Sequence, residues 1–85
     1  MSINKYGIII KKRLEERYPK KYQELKDNNE LLNLIKEKQF EIILYKRKLI
    51  DDTEGILTKD KMSEIYDLIN DKIISIVDNI GKSSH

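Results

Sequence analysis

Residues 58–81 read TKDKMSEIYDLINDKIISIVDNIG, and their apolar side chains fall on one helical seam. Met62, Tyr66, Ile69, Ile73, Ile76 and Ile80 follow one another at steps of four, three, four, three and four. That is the rhythm of a helix laid along a partner helix. The same steps, begun at Leu31, land on Ile35, Lys38, Ile42, Tyr45 and Leu49. Two seams of equal length on either side of a short polar connection predict an antiparallel helical hairpin, with Leu31 opposite Ile80, Ile42 opposite Ile69 and Leu49 opposite Met62. Lys38 is the polar seam position. A lysine there either snorkels at the edge of a bundle or specifies register at some cost in stability.

The signals around the seams set the ends of the elements. Thr58, with Asp60 two positions on, caps the last helix and Gly81 closes it, while Asp51-Asp52-Thr53-Glu54-Gly55 forms the turn before it. Asn28-Asn29 is a break and a cap for the long helix that precedes, which carries Glu30 at its start and Lys46-Arg47-Lys48 in its last turn, as the helix dipole favours. Tyr18-Pro19 ends a first helix, because the residue before proline is pushed out of the helical region. Pro19 then opens a short second helix to about Asp27, with Tyr22 and Leu25 facing inward. The first helix starts from Ser2 or Asn4 as N-cap and reaches Arg17, with Ile3, Gly7, Ile10 and Leu14 on one stripe. Glycine inside that stripe marks a close approach by another segment, or else a helix that begins after it.

The expected fold is therefore all-α: a small antiparallel bundle built on a long helical hairpin (about 30–50 and 59–80), with a basic N-terminal helix and a short second helix. Residues 1–81 form one domain and residues 82–85 a disordered tail. Two helices burying one seam each cannot offset the entropy of ordering them. A third layer is needed, either the first helix or a second copy of the chain. Phe40, Leu44, Leu68 and Ile74 lie off the seams and are the candidate partner-interface residues.

Composition narrows the chemistry. Of 85 residues, 39% are hydrophobic and 38% charged, which fits a small core under a crowded charged surface. Cysteine is absent and the one histidine is residue 85, so thiolate catalysis, cysteine zinc sites and Ser/His arrangements have no residues to build them. Asp51, Asp52 and Glu54 lack the spacing of a calcium loop. The expectation is no enzyme, no catalytic residue, no metal and no cofactor. No apolar run approaches the roughly 20 residues of a membrane span and no signal-peptide pattern is present, so the reading is cytoplasmic with no membrane contact.

Net charge is +2 but unevenly placed. Residues 1–22 hold seven Lys/Arg against two Glu, whereas residues 51–85 hold four Lys against eight Asp/Glu. Lys11, Lys12, Arg13, Arg17, Lys20 and Lys21, interleaved with Tyr18 and Tyr22, are the candidate residues for contacting nucleic acid or another polyanion. Set against that is a solvated basic face complementing the acidic last helix, with the tyrosines as core anchors. Glu15 and Glu16 interrupt the run, and no phosphate loop or helix-turn-helix signature accompanies it.

Lys5-Tyr6-Gly7, Leu14, Glu16, Tyr22, Glu24-Leu25 and Leu31 match, without a gap, a Tyr-Gly … Leu … Tyr-x-Glu-Leu … Leu stretch. On these residues the chain resembles the TnpV family of small proteins carried by transposons and integrative elements of low-GC bacteria. The resemblance spans residues 3–31, about a third of the chain. The tryptophan and Met-Asn pair typical of the family's last helix have no counterpart here. It implies a mobile-element accessory protein with an excisionase-like DNA role and no catalytic residues. Lys/Ile/Asn-rich usage agrees with an AT-rich bacterial source.

The sequence thus leads to a non-enzymatic helical protein-interaction module encoded by a mobile element or phage, taking a protein partner and self-associating. Two rivals stand beside it: a DNA-binding accessory protein using the basic N-terminal helix, and a small inhibitor of a host or defence protein.

Overall fold

In a computed structural model, which describes residues 2–53, 55 and 57–83, the chain folds into four helices. They are α1 (Lys5–Arg17), α2 (Pro19–Asp27), α3 (Leu31–Asp51) and α4 (Lys59–Lys82). No strand occurs among the described residues. Glu54, Ser84 and His85, named above in the turn and the tail, lie outside the described residues.

Local chemistry accounts for most of the boundaries. Of the two candidate caps, Asn4 starts α1: its side chain accepts from the backbone N–H of Tyr6 at 2.9 Å and of Gly7 at 3.1 Å. Tyr18 leaves the helical region ahead of Pro19, which takes the first position of α2. At the end of α2, Asn29 adopts φ 60°. Its N–H donates to the Lys26 carbonyl at 3.1 Å and that of Glu30 to the Leu25 carbonyl at 2.9 Å, the pattern of a helix stopped by a left-handed residue. Asn28-Asn29 therefore ends one helix without capping the next, and α3 starts with no side-chain cap. Thr58 caps α4 by accepting from the Lys61 N–H at 3.1 Å.

The hairpin is formed by α3 and α4. Ile35 and Ile42 of the first seam and Ile69, Ile73, Ile76 and Ile80 of the second are buried, whereas Lys38 sits half-buried at the edge beside Glu41 at 3.6 Å. Two contacts join the helices of the hairpin between its middle and its turn end: the Lys46 ammonium lies 5.5 Å from the Tyr66 ring centre and Lys72 lies 5.6 Å from that of Tyr45. The seam reading fails at Tyr66, which is 48% exposed, while Ile65 beside it is 2% exposed. Ile65 takes the buried place, and the Tyr66 ring is left at the surface beside the Lys46 ammonium of α3.

The third layer is α1. Ile10 and Leu14 reach zero exposure against the hairpin, joined by Ile35, Ile42 and Val77. At its start α1 crosses α3 at Gly7, where a Cβ would overlap the Gln39 amide oxygen and the Ile3 side chain. At its far end it is held to α4 through Tyr18, whose ring lies on Gly81 so closely that a Cβ there would overlap it. Gly81 does not close α4, as its position in the sequence suggests. The helix runs through it to Lys82, so the glycine serves a close approach and residue 82 belongs to the helix, not the tail.

The molecule measures 47 × 24 × 19 Å with a radius of gyration of 14.4 Å. A compact chain of this length has about 12 Å. The excess comes from the hairpin, whose turn end projects beyond the layer formed by α1.

Candidate functional site

The structure divides the six basic candidates. Lys11, Lys12 and Lys20 are exposed, and none forms an ion pair among the described residues. The other three are occupied within the fold. Arg13 donates from Nη2 to the Asn70 Oδ1 at 3.0 Å, and Arg17 pairs with Asp78 at 3.4 Å. Lys21 is a correction to the expected basic face, because it is buried, with Glu24 3.8 Å away. It lies one turn before Leu25, on the face of α2 that packs onto the hairpin, so its stem is covered by the bundle. The tyrosines are anchors as well. Tyr22 is buried, and Tyr18 lies against α4 with its hydroxyl donating to Asp78 Oδ1 at 2.9 Å. That bond, followed by desolvation and the negative charge of Asp78, raises the Tyr18 phenol above its ordinary pKa of 10.0, against the opposing effect of Arg17.

Of the interface candidates, Phe40 and Leu44 are each 46% exposed on successive turns of α3, and Leu68 is exposed on α4. Ile74 is half-buried and offers less surface than the sequence suggests. It lies among the residues of α4 that α1 covers, between Asn70 and Asp78.

The residue that sequence reasoning missed is Gln39. It has no exposed surface, yet it carries a primary amide. Its Nε2 donates to the Ser2 carbonyl at 2.9 Å and its Oε1 accepts from the Asn4 N–H at 2.9 Å. One side chain of α3 thus grips the backbone immediately ahead of α1. The available signal was its position one turn after Ile35, combined with a glycine in the opposing stripe. Tyr6 presents the contrary case, a buried hydroxyl without a hydrogen-bond partner among the described residues.

Clefts follow the joints between helices. One of about 420 Å³ lies where α1, the end of α2 and the start of α3 meet, lined by Ile3, Leu31, Leu32 and Ile35 with Lys11 and Lys26 at its rim. Two more lie toward the turn end of the hairpin, one lined by Ile43, Lys46, Arg47 and Ile50, the other by Leu57, Met62, Tyr66 and Asp67. Among the described residues no group of three or more His, Cys, Asp and Glu side chains is placed to hold a metal ion, and no helix is long and apolar enough to cross a membrane. Comparison of the chain with protein-family models, curated proteins and solved structures finds no match.

Proposed function

We propose that this chain is a non-enzymatic helical interaction module, encoded by a mobile element or phage and working in the cytoplasm, that presents the outer face of α3 to a protein partner. The observation that carries the reading is the pair Phe40 and Leu44, one helical turn apart on α3 and each nearly half exposed. Two large apolar side chains at that spacing form the anchor pattern by which one helix docks in the groove of another protein. Leu68 extends the apolar surface onto α4. The resemblance of residues 3–31 to the TnpV family supports the mobile-element setting, and inhibition of a host or defence protein would use the same surface.

A DNA accessory role is supported by a smaller set of groups. Three of the six cations, Lys11, Lys12 and Lys20, remain exposed and unpaired by described residues, which fits only a modest polyanion contact. The test is affinity capture from cells with the native chain, with Phe40→Ser/Leu44→Ser, and with Lys11→Gln/Lys12→Gln/Lys20→Gln. The proposal expects a protein retained by the native chain and the lysine variant and lost with the α3 variant. Captured nucleic acid lost with the lysine variant, its affinity falling with salt at a log–log slope near roughly −3 for three contacts, would overturn it.

A further inference from the structure

Two lysines stand where their helices call for apolar side chains. Lys38 occupies a seam position of α3, and Lys21, only 9% exposed, lies one turn before Leu25 on the inner face of α2. A lysine is almost never buried unless it is paired, and both pairs here are loose. Glu24, 3.8 Å from Lys21, and Glu41, 3.6 Å from Lys38, stand beyond hydrogen-bond distance, three residues on along the same helix and half exposed themselves. Both lysines line one cleft of about 440 Å³ where α2, α3 and α4 meet, and Lys72 of α4 lines it as well. Three helices each bring an ammonium group to the same cleft, whereas Glu41 is the one carboxylate in its lining among the described residues.

From this we infer that the cleft binds a small phosphate-bearing organic molecule. Three ammonium groups against one carboxylate leave two positive charges in the lining, which match the dianion of a phosphate monoester. Glu24 stands outside the lining. Lysine suits phosphate, which it meets as a compact charge with three rotatable donors. Ser75 and Asn79, one turn apart on the α4 wall, add a hydroxyl and an amide, and Leu25, Leu34 and Ile76 offer apolar lining to the body of the ligand. The volume falls within the roughly 300–1,000 Å³ of small-ligand sites. Lys38 thereby gains a use other than register: it takes an apolar contact from the seam and gives a charge to the cleft. The lining includes none of Phe40, Leu44, Lys11, Lys12 and Lys20, so ligand binding and the proposed function can be lost independently.

The test is titration of the full chain with phenyl phosphate, followed by backbone amide chemical shifts, with inorganic phosphate and benzoate in parallel. Phenyl phosphate should saturate, with shifts at Lys21, Lys38, Ser75 and Asn79, and bind about tenfold tighter than either control, since inorganic phosphate lacks the apolar body and benzoate the second charge. Lys38→Met and Lys72→Met should each weaken it about tenfold or more, and Glu41→Gln should tighten it. Lys38→Met should unfold in urea no earlier than the native chain, so that its loss of binding is not a loss of fold; if it unfolds earlier, Lys72→Met, at an exposed position, decides. Shifts that do not saturate, shifts that gather at Lys11, Lys12 and Lys20 instead, equal affinity for either control, or indifference to the lysine variants overturns the inference. A chain that binds no phosphate yet captures a protein through Phe40 and Leu44 overturns it while leaving the proposed function standing.

Discussion

Replacing Gln39 by glutamate turns the buried clamp into a pH-dependent one. The amide now donates one hydrogen bond and accepts another, both to backbone just ahead of α1, from a side chain with no exposure. A protonated carboxyl group can do the same: its O–H replaces the Nε2 donor to the Ser2 carbonyl and its other oxygen still accepts from Asn4. An ionised carboxylate has no donor, leaves the Ser2 carbonyl facing like charge, and brings its own charge out of water. The folded Gln39→Glu variant therefore raises the pKa of the introduced carboxyl group above the roughly 4.3 of an unfolded chain. For a raised pKa, stability is fully present below the unfolded value and is lost as pH rises through the folded value. If burial lifts the pKa to about 7 or beyond, the gap from the unfolded value is about 2.7, and at roughly 1.36 kcal/mol per unit the loss between pH 4 and pH 7 approaches about 4 kcal/mol. Gln39→Leu provides the pH-independent companion. It gives up two bonds worth about 1 kcal/mol each and strands a half-buried N–H, with part returned by apolar burial, for a net loss of about 1–3 kcal/mol. The assay is urea unfolding of native, Gln39→Glu and Gln39→Leu between pH 4 and pH 8, with amide exchange of Asn4 as the local probe. Equal destabilisation of the glutamate variant at both ends of that range, or an Asn4 amide unaffected by either change, would refute the clamp.

Two further perturbations test the other end of α1. Gly81→Ala should destabilise by about 1–3 kcal/mol, although alanine is favoured over glycine in a helix by about 1 kcal/mol, because its methyl overlaps the Tyr18 ring and must displace it; a rise in thermal midpoint would show that the ring is not held there. Tyr18→Phe removes the bond to Asp78, and since that bond raises the phenol's folded pKa, its contribution is present below about pH 10 and disappears as pH rises through the folded value. The stabilities of the native chain and the Tyr18→Phe variant should accordingly converge in alkaline solution, and a constant difference between them would argue against the bond.

The hairpin is legible in the sequence because burial repeats: six positions on each helix carry enough periodic signal to fix which faces meet. Tyr66 shows where that signal ends. Steps of three and four run from Met62 to Ile69 through Ile65 as well as through Tyr66, so the spacing alone does not choose between them. Gly81 misleads because a glycine near a helix end has two common uses, ending the helix or admitting a neighbour, and the neighbour here, Tyr18, is distant in the chain. Gln39 escapes because a polar residue one step from a seam looks solvated until something covers it. The basic run is visible, but the partition of its cations is not, since Asn70 and Asp78 carry no mark of the arginines they receive.

The contacts that fix α1 also fix when it can settle. Its start is bonded to α3 across separations of 35 and 37 residues, and its end to α4 across 57 and 60. Of the four helices α1 is translated before the others yet cannot settle fully until the last of them is made, for half of its anchorage lies on α4. Until then a basic helix with isoleucines on two sides is held by α2 beside it and by Gln39 of α3 at its start, and its far end docks only when α4 pairs with α3.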